Sequence, residues 1–188
     1  MKDVLCIYYS RTGNTKKAME EIAQDLDAEL AELHDDVDRS GLGGWLRSGL
    51  DAMRRTTRPV TVETQRPLKD YRLVILGTPV WAGRCSSVMR GFLKSRGQEL
   101  KNVAYVVTRS SNGRFEEVYD QMDLYVPGGR RFAVSLRSGA VGYEFWQEDF
   151  LRPAREFFTA EHYGGPPLHL DSETPSPRKK PSRRPSCP

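Results

Sequence analysis

The sequence is poor in cysteine and has no long apolar run. Its three cysteines, Cys6, Cys85 and Cys187, are widely spaced and form no CxxC pair. They therefore indicate neither a disulfide framework nor a zinc site, and they are typical of a reducing cytoplasm. No segment reaches the about 18 apolar residues of a membrane span. The first residues lead directly into a strand-like run, so we expect no secretory signal and a cytoplasmic location.

Sequence motifs of several enzyme classes are also missing. There is no GxSxG nucleophile elbow, and the GxxxxGK[ST] lysine of nucleoside triphosphate sites is absent. The three histidines, His34, His162 and His169, are too scattered to suggest a metal site, and each is expected at the surface. We therefore predict neither a metal nor a catalytic acid–base pair.

The net charge of +4 is unevenly spread along the chain. Residues 166–188 carry +3 of it and seven of the twelve prolines. Leu168 and Leu170 are the only large apolar residues there, so burial cannot offset the entropy of ordering. We predict one domain over residues 1–160 and a disordered, proline-rich basic tail over 161–188. An inert extension is the favoured interpretation of the tail, and a weak contact to anionic surfaces or nucleic acid is the alternative.

Strand-like and helix-like segments alternate through residues 1–160. Runs rich in β-forming residues predict strands over 4–9, 29–33, 71–77, 103–107 and 131–136. Helical spacing of apolar residues predicts helices over 15–26, 87–94, 115–122 and 143–158. Pro153 is expected to kink or divide the last helix. This alternation favours an α/β fold with a five-stranded, mostly parallel sheet that carries helices on both faces.

A long connection over residues 34–70 interrupts this alternation. Within it, Leu42, Trp45, Leu46, Leu50 and Met53 recur at helical spacing. We predict a short extra helix there, which either covers the sheet edge or faces a partner or cofactor.

Ligands of such sheets bind beyond the carboxyl ends of the strands. The loop after the first predicted strand contains four uncharged donors, the side chains of Ser10, Thr12, Asn14 and Thr15. Gly13 permits a positive φ, and the helix that follows directs its partial positive charge at the same place. The loop therefore resembles an anion nest sized for a phosphate group. The alternative is a cluster that only caps the helix.

Two segments resemble the signatures of a known family. Tyr8-Tyr9-Ser10-Arg11-Thr12-Gly13-Asn14-Thr15 is similar to the phosphate-binding signature of the flavodoxins, and Gly77-Thr78-Pro79-Val80-Trp81-Ala82-Gly83 is similar to their second flavin loop. The resemblance covers about residues 1–160. It implies a flavodoxin-like, doubly wound sheet in the order 2-1-3-4-5, with FMN at its carboxyl edge.

The resemblance also implies a set of cofactor-binding residues in three segments. The segment around the FMN phosphate would be Ser10, Arg11, Thr12, Gly13, Asn14 and Thr15. The segment beside the isoalloxazine ring would be Thr78, Pro79, Val80, Trp81, Ala82 and Gly83. The third would be Thr108, Arg109, Ser110, Ser111, Asn112 and Gly113. Trp81 would stack on the ring, and the Ala82–Gly83 peptide would be the one that turns toward reduced flavin.

The sequence departs from the family in two respects. The third segment contains no aromatic residue, so one face of the ring is expected to be more open. Residues 1–165 are close to neutral, whereas many flavodoxins are acidic, so we expect a less negative second reduction step. Arg109 would reinforce that effect if it faced the N1 edge of the ring; the alternative is a solvated side chain.

Three functions remain open from the sequence. The leading interpretation is an FMN-binding electron-transfer protein that serves a redox partner protein. The second is an FMN-dependent NAD(P)H or quinone oxidoreductase on the same fold. The third is a binding module that has lost the flavin. Cys85 lies near the second flavin segment, and we favour a passive small residue over a redox-active one.

Overall fold

The computed structural model describes residues 2–34, 59–113 and 115–159, which contain six strands, four α-helices and the short 3-10 helices Leu68–Asp70 and Gly97–Glu99. The strands are β1 (Val4–Tyr8), β2 (Glu29–Glu32), β3 (Leu73–Trp81), β4 (Arg84–Cys85), β5 (Val103–Thr108) and β6 (Arg130–Leu136). The helices are α1 (Asn14–Asp25), α2 (Ser87–Arg96), α3 (Glu116–Asp123) and α4 (Tyr143–Thr159).

Five of the strands form a parallel sheet in the order β2-β1-β3-β5-β6. In the central register, Cys6 of β1 lies between Leu30 of β2 and Ile75 of β3. The short strand β4 pairs only with the end of β3 and runs antiparallel to it. Without this hairpin strand the order is the predicted 2-1-3-4-5, which confirms the doubly wound fold class.

Helices cover both faces of the sheet, as predicted. Side chains alternate along a strand, so Ile7 of β1 contributes to one buried cluster and Cys6 to the other. The first cluster includes Phe92 of α2, whereas the second includes Met19 of α1 and Phe150 of α4. Each fully buried large apolar side chain stabilises the fold by about 1.5–3 kcal/mol. The two clusters therefore hold the helices, and with them the helix ends, in fixed positions at the sheet.

A very close approach between α1 and β3 depends on one glycine. A Cβ on Gly77 would lie 2.5 Å from Cγ of Met19 and 3.0 Å from Cβ of Tyr8. The backbone of Gly77 also accepts a hydrogen bond from the N–H of Tyr9, with an N–O distance of 3.0 Å. The absence of a side chain at Gly77 thus lets α1 lie close against the sheet at the edge where the predicted ligand segments begin.

Two predictions about element boundaries are wrong. Strand β3 continues to Trp81 instead of ending at Gly77, and Pro79 pairs in register with Thr108 of β5. The extension occurs because the chain turns back after Trp81 and pairs with β4, which local patterning does not reveal. Helix α4 runs through Pro153 without division, because the buried side chains of Leu151 and Ala154 anchor the helix on either side of the proline. A kink at Pro153, the other expected outcome, stays a prediction.

Several predictions fall outside the described residues. The extra helix between residues 42 and 53, and the tail over residues 161–188, lie there. A single backbone bridge joins His34 to Thr61, on either side of the undescribed connection. In the three described stretches, no helix is long and apolar enough to cross a membrane.

Candidate functional site

The three predicted ligand segments meet at one edge of the sheet. They lie at the carboxyl ends of β1, β3 and β5, which are neighbours in the sheet, so these ends lie side by side. The hydroxyl oxygens of Thr15 and Thr108 are 2.7 Å apart, which joins the first segment to the third. Pro79 is the register partner of Thr108, which places the second segment beside the third. The structure therefore brings together residues that are nearly 100 positions apart.

The first segment presents the uncapped start of α1. Gly13 is the N-cap residue at φ 86°, and its N–H donates to Oγ of Ser10 over 3.1 Å. Because Gly13 has no side chain, no side chain at the N-cap accepts a hydrogen bond from the first N–H groups of α1. The first turn of α1 also carries no acidic residue. A Cβ on Gly13 would meet nothing within 4 Å in the described structure. Free backbone N–H groups, a helix dipole and adjacent open space together suit an anion.

Exposure separates the side chains of this segment into two groups. Thr12 and Asn14 are exposed, and Ser10 and Arg11 are half-buried. Thr15 is buried, and its hydroxyl pairs with that of Thr108. Only one of the two hydroxyl groups donates its proton within this pair. The other hydroxyl can therefore donate to a different acceptor. The side chains best placed to meet a ligand from solvent are those of Thr12 and Asn14.

The second segment begins with a threonine that has a structural role. Thr78 is fully buried, and its hydroxyl donates to Oγ of Ser86 and accepts from the N–H of Ser86, each over 3.1 Å. Ser86 in turn caps α2, because its Oγ accepts from the N–H of Met89. These bonds tie the end of β3 to the start of α2. A direct contact of the Thr78 side chain with a cofactor stays a prediction.

A tight turn at Ala82 and Gly83 joins β3 to β4. Trp81 pairs with Arg84 across it, and the two residues between them have φ values of 48° and 70°. Positive φ at both central residues defines a type I′ turn. Glycine adopts this conformation without strain, whereas an L-residue such as Ala82 pays about 1–2 kcal/mol. Ala82 is exposed at the tip of the turn, so this edge of the site holds a strained residue where a ligand could touch it.

The ring of Trp81 is half-buried at the end of β3. It meets the ring of Tyr9 edge to face, with centroids 5.6 Å apart and planes at 86°. Such aromatic pairs stabilise a fixed orientation of both rings. Tyr9, the residue before the first segment, therefore orients the ring of Trp81, which stays partly exposed. Tyr9 was not among the predicted site residues.

Two arginines, Arg109 and Arg137, donate hydrogen bonds to residues of the third segment. Only Arg109 was among the predicted residues. The guanidinium of Arg109 donates to Oγ of Ser135, over 3.0 Å from Nε, and to the carbonyl of Ser111. Arg137, the first residue after β6, donates to the side-chain oxygen of Asn112. Arg109 is thus bound to the protein and is not a freely solvated side chain. Ser110 and Gly113 are exposed, as are the two residues between them.

An aromatic ring does reach the end of the third segment, although none lies within it. A Cβ on Gly113 would be 3.0 Å from Cε2 and Cζ of Phe115, so this ring packs against the glycine. The sequence contains signals for some of the missed residues. The predicted strand order places the loop after β6 beside the loop after β5, which would have pointed to Arg137. No comparable signal identifies Phe115.

The cysteine beside the second segment is buried. Cys85 lies in β4 and only 2% of its surface is exposed. Burial raises the pKa of its thiol to about 11, and the nearby Arg90 opposes this only in part. The thiolate is the reactive form, so this environment supports the interpretation of Cys85 as a passive small residue. Within the described ranges, no three side chains of histidine, cysteine, aspartate or glutamate cluster as metal ligands.

Comparisons with known proteins agree with this architecture. The family model described as Flavodoxin matches residues 3–130. A flavoprotein from Lactobacillus acidophilus NCFM, solved in complex with FMN, is 23% identical, with 78% of this chain and 99% of that chain covered and a TM-score of 0.59.

Two further solved structures share the fold. A candidate flavoprotein from Bacteroides uniformis is 19% identical, with 79% of this chain and 97% of that chain covered and a TM-score of 0.65. A WrbA-like flavodoxin from Agrobacterium tumefaciens is 14% identical, with 85% and 99% covered and a TM-score of 0.53. A search among curated proteins found no match.

Proposed function

Because this chain belongs to the flavodoxin family, we propose that it is an electron-transfer protein that binds FMN at the carboxyl edge of its sheet. Family membership and the FMN-bound neighbour from Lactobacillus acidophilus support FMN as the cofactor. The observation that carries the proposal is the uncapped start of α1, with open space at Gly13 and no acid in the first turn. A phosphate group is the ligand that such a site suits best.

The phosphate group of FMN would be bound without any buried positive side chain. Backbone N–H groups from the start of α1 would donate to the phosphate oxygens, together with the exposed side chains of Thr12 and Asn14. Hydrogen bonds to a charged acceptor are about twice as strong as neutral ones. Because the donors are neutral, no unpaired charge would be left when the site empties.

The isoalloxazine ring of FMN would lie between the second and third segments. Trp81, oriented by Tyr9, would cover one face of the isoalloxazine ring and exclude water from it. The third segment, braced by Arg109 and Arg137, would form the opposite wall. FMN itself would supply the electron-transfer chemistry, so the polypeptide needs no acid–base pair. A cytoplasmic location stays a prediction, as does the less negative second reduction step.

The proposal is tested on the full-length chain by absorption spectroscopy and FMN titration. We expect flavin absorbance in the isolated protein, or uptake of FMN at micromolar concentration by the apoprotein. Substituting Thr12→Ala together with Asn14→Asp should weaken FMN binding strongly, because a donor is lost and a like charge is added. The matched control is Thr64→Ala with Asn102→Asp. In the wild type these two side chains donate to the backbone carbonyls of Arg66 and Arg72, away from the first segment. A chain that takes up no FMN, as expected of a module that has lost the flavin, contradicts the proposal.

The open third segment favours a second candidate function, an FMN-dependent NAD(P)H or quinone oxidoreductase. Residues 110–113 are exposed and include no aromatic side chain that would cover the isoalloxazine ring. A small-molecule substrate would therefore reach the ring from this side. Steady-state oxidation of NAD(P)H with a quinone acceptor separates the functions: sustained turnover favours the reductase, and slow turnover with fast electron exchange with a partner protein favours the carrier.

A further inference from the structure

Two arginines at the carboxyl edge of the sheet are fixed in place by neutral acceptors. Arg109 donates from Nε to Oγ of Ser135 over 3.0 Å and from Nη1 to the carbonyl oxygen of Ser111 over 2.5 Å. Arg137 donates to Oδ1 of Asn112. In the described part of the chain, no ion pair joins either guanidinium to a carboxylate. Both side chains therefore keep their full positive charge at this edge.

Several arginines elsewhere in the structure have carboxylate partners. Arg155 of α4 contacts Asp25 over 2.7 Å and Glu148 over 2.6 Å. Arg130, at the start of β6, contacts Asp120 over 3.1 Å. Opposite charges this close cancel most of their field at a distance. The two arginines of the carboxyl edge have no such partner among the described residues, so their counter-charge has to come from solvent or from another molecule.

The loops that carry these two arginines contain no acidic residue. Residues 108–114 and 137–142 together include three arginines and neither aspartate nor glutamate. Acidic residues begin only in the helices that follow, with Glu116 and Glu117 in the first turn of α3 and Glu144 in that of α4. Helix dipoles favour carboxylates at such positions. The positive charge is thus concentrated in the loops themselves.

The two guanidinium groups are arranged to bind carboxylates. They hold the adjoining residues 111 and 112, and an anion beside them relieves the repulsion between two like charges. A guanidinium has five N–H donors in a planar fork, so donors remain for a bidentate contact. Because hydrogen bonds already fix both side chains, less rotamer entropy is lost when a partner binds.

We propose that Arg109, Arg137 and the exposed residues 110–113, which we call the arginine surface, form the docking site of an acidic partner protein. The inference rests on the proposed function, in which the third segment forms one wall of the isoalloxazine site. Carboxylates of the partner bind the two guanidinium groups and bring its redox centre to the open side of the ring. Complementary charge speeds such an encounter and selects the partner.

The test is an NMR titration of the isotope-labelled full-length chain with FMN bound. Decaglutamate is the acidic probe, and decalysine is the basic one. Amide signals of residues 109–113 should shift saturably with decaglutamate and stay in place with decalysine. The shifts should weaken as the ionic strength is raised from about 10 mM to about 150 mM. Signals of the basic tail are separate from these, so binding of the probe to the tail does not obscure the result.

Charge-removing variants test the two arginines. Arg109→Gln and Arg137→Gln should each raise the dissociation constant of decaglutamate at this surface roughly threefold, whereas Arg109→Lys keeps the charge and most of the affinity. The matched control is Arg131→Gln. Arg131 also donates to an asparagine oxygen, Oδ1 of Asn102 over 2.9 Å, but it lies near the start of β6, and its loss should leave the constant unchanged. Arg137→Gln decides the matter if Arg109→Gln fails to fold.

Electron transfer to small oxidants shows whether the charge acts beside the ring. Ferricyanide is a trianion and hexaammineruthenium(III) is a trication, and each accepts one electron from photochemically reduced FMN. A change in flavin potential would alter both rate constants in the same direction, so their ratio reports the local charge. The ratio of the anion to the cation rate should fall in Arg109→Gln and Arg137→Gln and stay at its wild-type value in Arg131→Gln.

The outcomes separate the two proposals. A chain that binds FMN but shows no decaglutamate shift at residues 109–113 overturns the arginine surface and leaves the proposed function standing. Variants of Arg109 and Arg137 that behave like Arg131→Gln overturn it as well. If sodium pyrophosphate moves the same signals at a lower concentration than decaglutamate, the surface binds a small phosphorylated molecule and docking of an acidic protein is overturned. A chain that takes up no FMN overturns the proposed function, and with it the role of this surface in electron transfer.

Discussion

Six consecutive residues, 10–15, build one end of the candidate site, whereas the other end needs strands β3 and β4 and helices α2 and α3, which span residues 73–123. At the first end, Gly13 stands in open space at an uncapped helix start. At the second, Thr78 is tied to the start of α2, and the turn at Ala82 rests on α3. After the proposed orientation of FMN, we call these the phosphate end and the ring end.

This difference separates binding from stability. The phosphate end contributes little to the core, so changes there should alter ligand affinity while the fold remains stable. The ring end shares its residues with the packing of β3, β4 and α3, so changes there should alter both. The following predictions test this contrast, beginning with the largest expected effect.

The largest effect should follow from Asn14→Asp at the phosphate end. A carboxylate at the first position of α1 repels a bound phosphate and replaces a donor, so FMN affinity should fall roughly 100-fold, or about 2.7 kcal/mol. The same carboxylate interacts favourably with the helix dipole, so the apoprotein should gain about 0.5 kcal/mol of unfolding free energy. Fluorescence titration and urea denaturation measure the two effects, which should have opposite signs.

Asn112→Asp is the matched control for that substitution. It adds the same charge at the same edge of the sheet, but Arg137 already binds the side chain of residue 112 and would pair with the new carboxylate. FMN affinity should therefore fall much less than in Asn14→Asp. Equal losses in the two variants would place the phosphate elsewhere along this edge.

Gly77→Ala should reduce stability and binding together. Its Cβ would lie 2.5 Å from Cγ of Met19, and such overpacking costs about 2 kcal/mol. Relief requires α1 to move away from β3, which shifts the helix start from its ligand. Denaturation should show the loss of stability, and titration should show weaker FMN binding.

Gly97→Ala separates these two consequences. Its Cβ would lie 2.5 Å from the carbonyl oxygen of Tyr125, so a similar loss of stability is expected. This clash does not involve α1 or the three ligand segments, and FMN affinity should be preserved in the folded variant. Loss of affinity in both glycine variants would mean that general destabilisation, not displacement of α1, weakens binding.

Ala82→Gly should stabilise the protein by up to about 1 kcal/mol, because glycine relieves the left-handed strain at the turn. FMN affinity should change as well, since the turn at the ring end gains conformational freedom. Asp27→Gly is the control: Asp27 also has a positive φ, of 45°, but it follows the far end of α1. It should gain similar stability in denaturation and leave FMN titration unchanged.

The smallest effect concerns the pH dependence contributed by Cys85 at the ring end. Burial raises the pKa of this thiol from its usual value near 9 to about 11. The folded state therefore holds the proton more tightly than the unfolded state, and stability should fall as the pH rises between these two values. From about pH 8 to about pH 9 the loss should be about 0.4 kcal/mol. Urea denaturation of wild type and Cys85→Ala at both pH values should show this difference in slope; parallel slopes would contradict it.

Much of the fold could be predicted from local patterns. The alternation of apolar runs located β1, α1, β5 and α4 to within one or two residues, because the periods of strands and helices are properties of neighbouring residues. A short polar loop that contains Gly13 predicts the phosphate end for the same reason. Backbone freedom at a glycine and free N–H groups at a helix start arise within a few residues of one another.

The ring end could not be predicted in the same way. The contact of Gln121 with Gly83 joins residues 38 positions apart, and Thr78 and Pro79 of the extended β3 pair with Val107 and Thr108 of β5. The hairpin with β4 and the hydrogen bond of Thr78 to Ser86 are closer in the chain, but no local sequence pattern predicts them. Arg137 reaches Asn112 only because β6 lies beside β5 in the sheet. The amino-acid sequence by itself determined the repeating elements and the helix start at Gly13, since both follow from short-range sterics and hydrogen bonding. The tertiary structure decided the ring end, because strand order and side-chain packing alone choose which distant groups meet there.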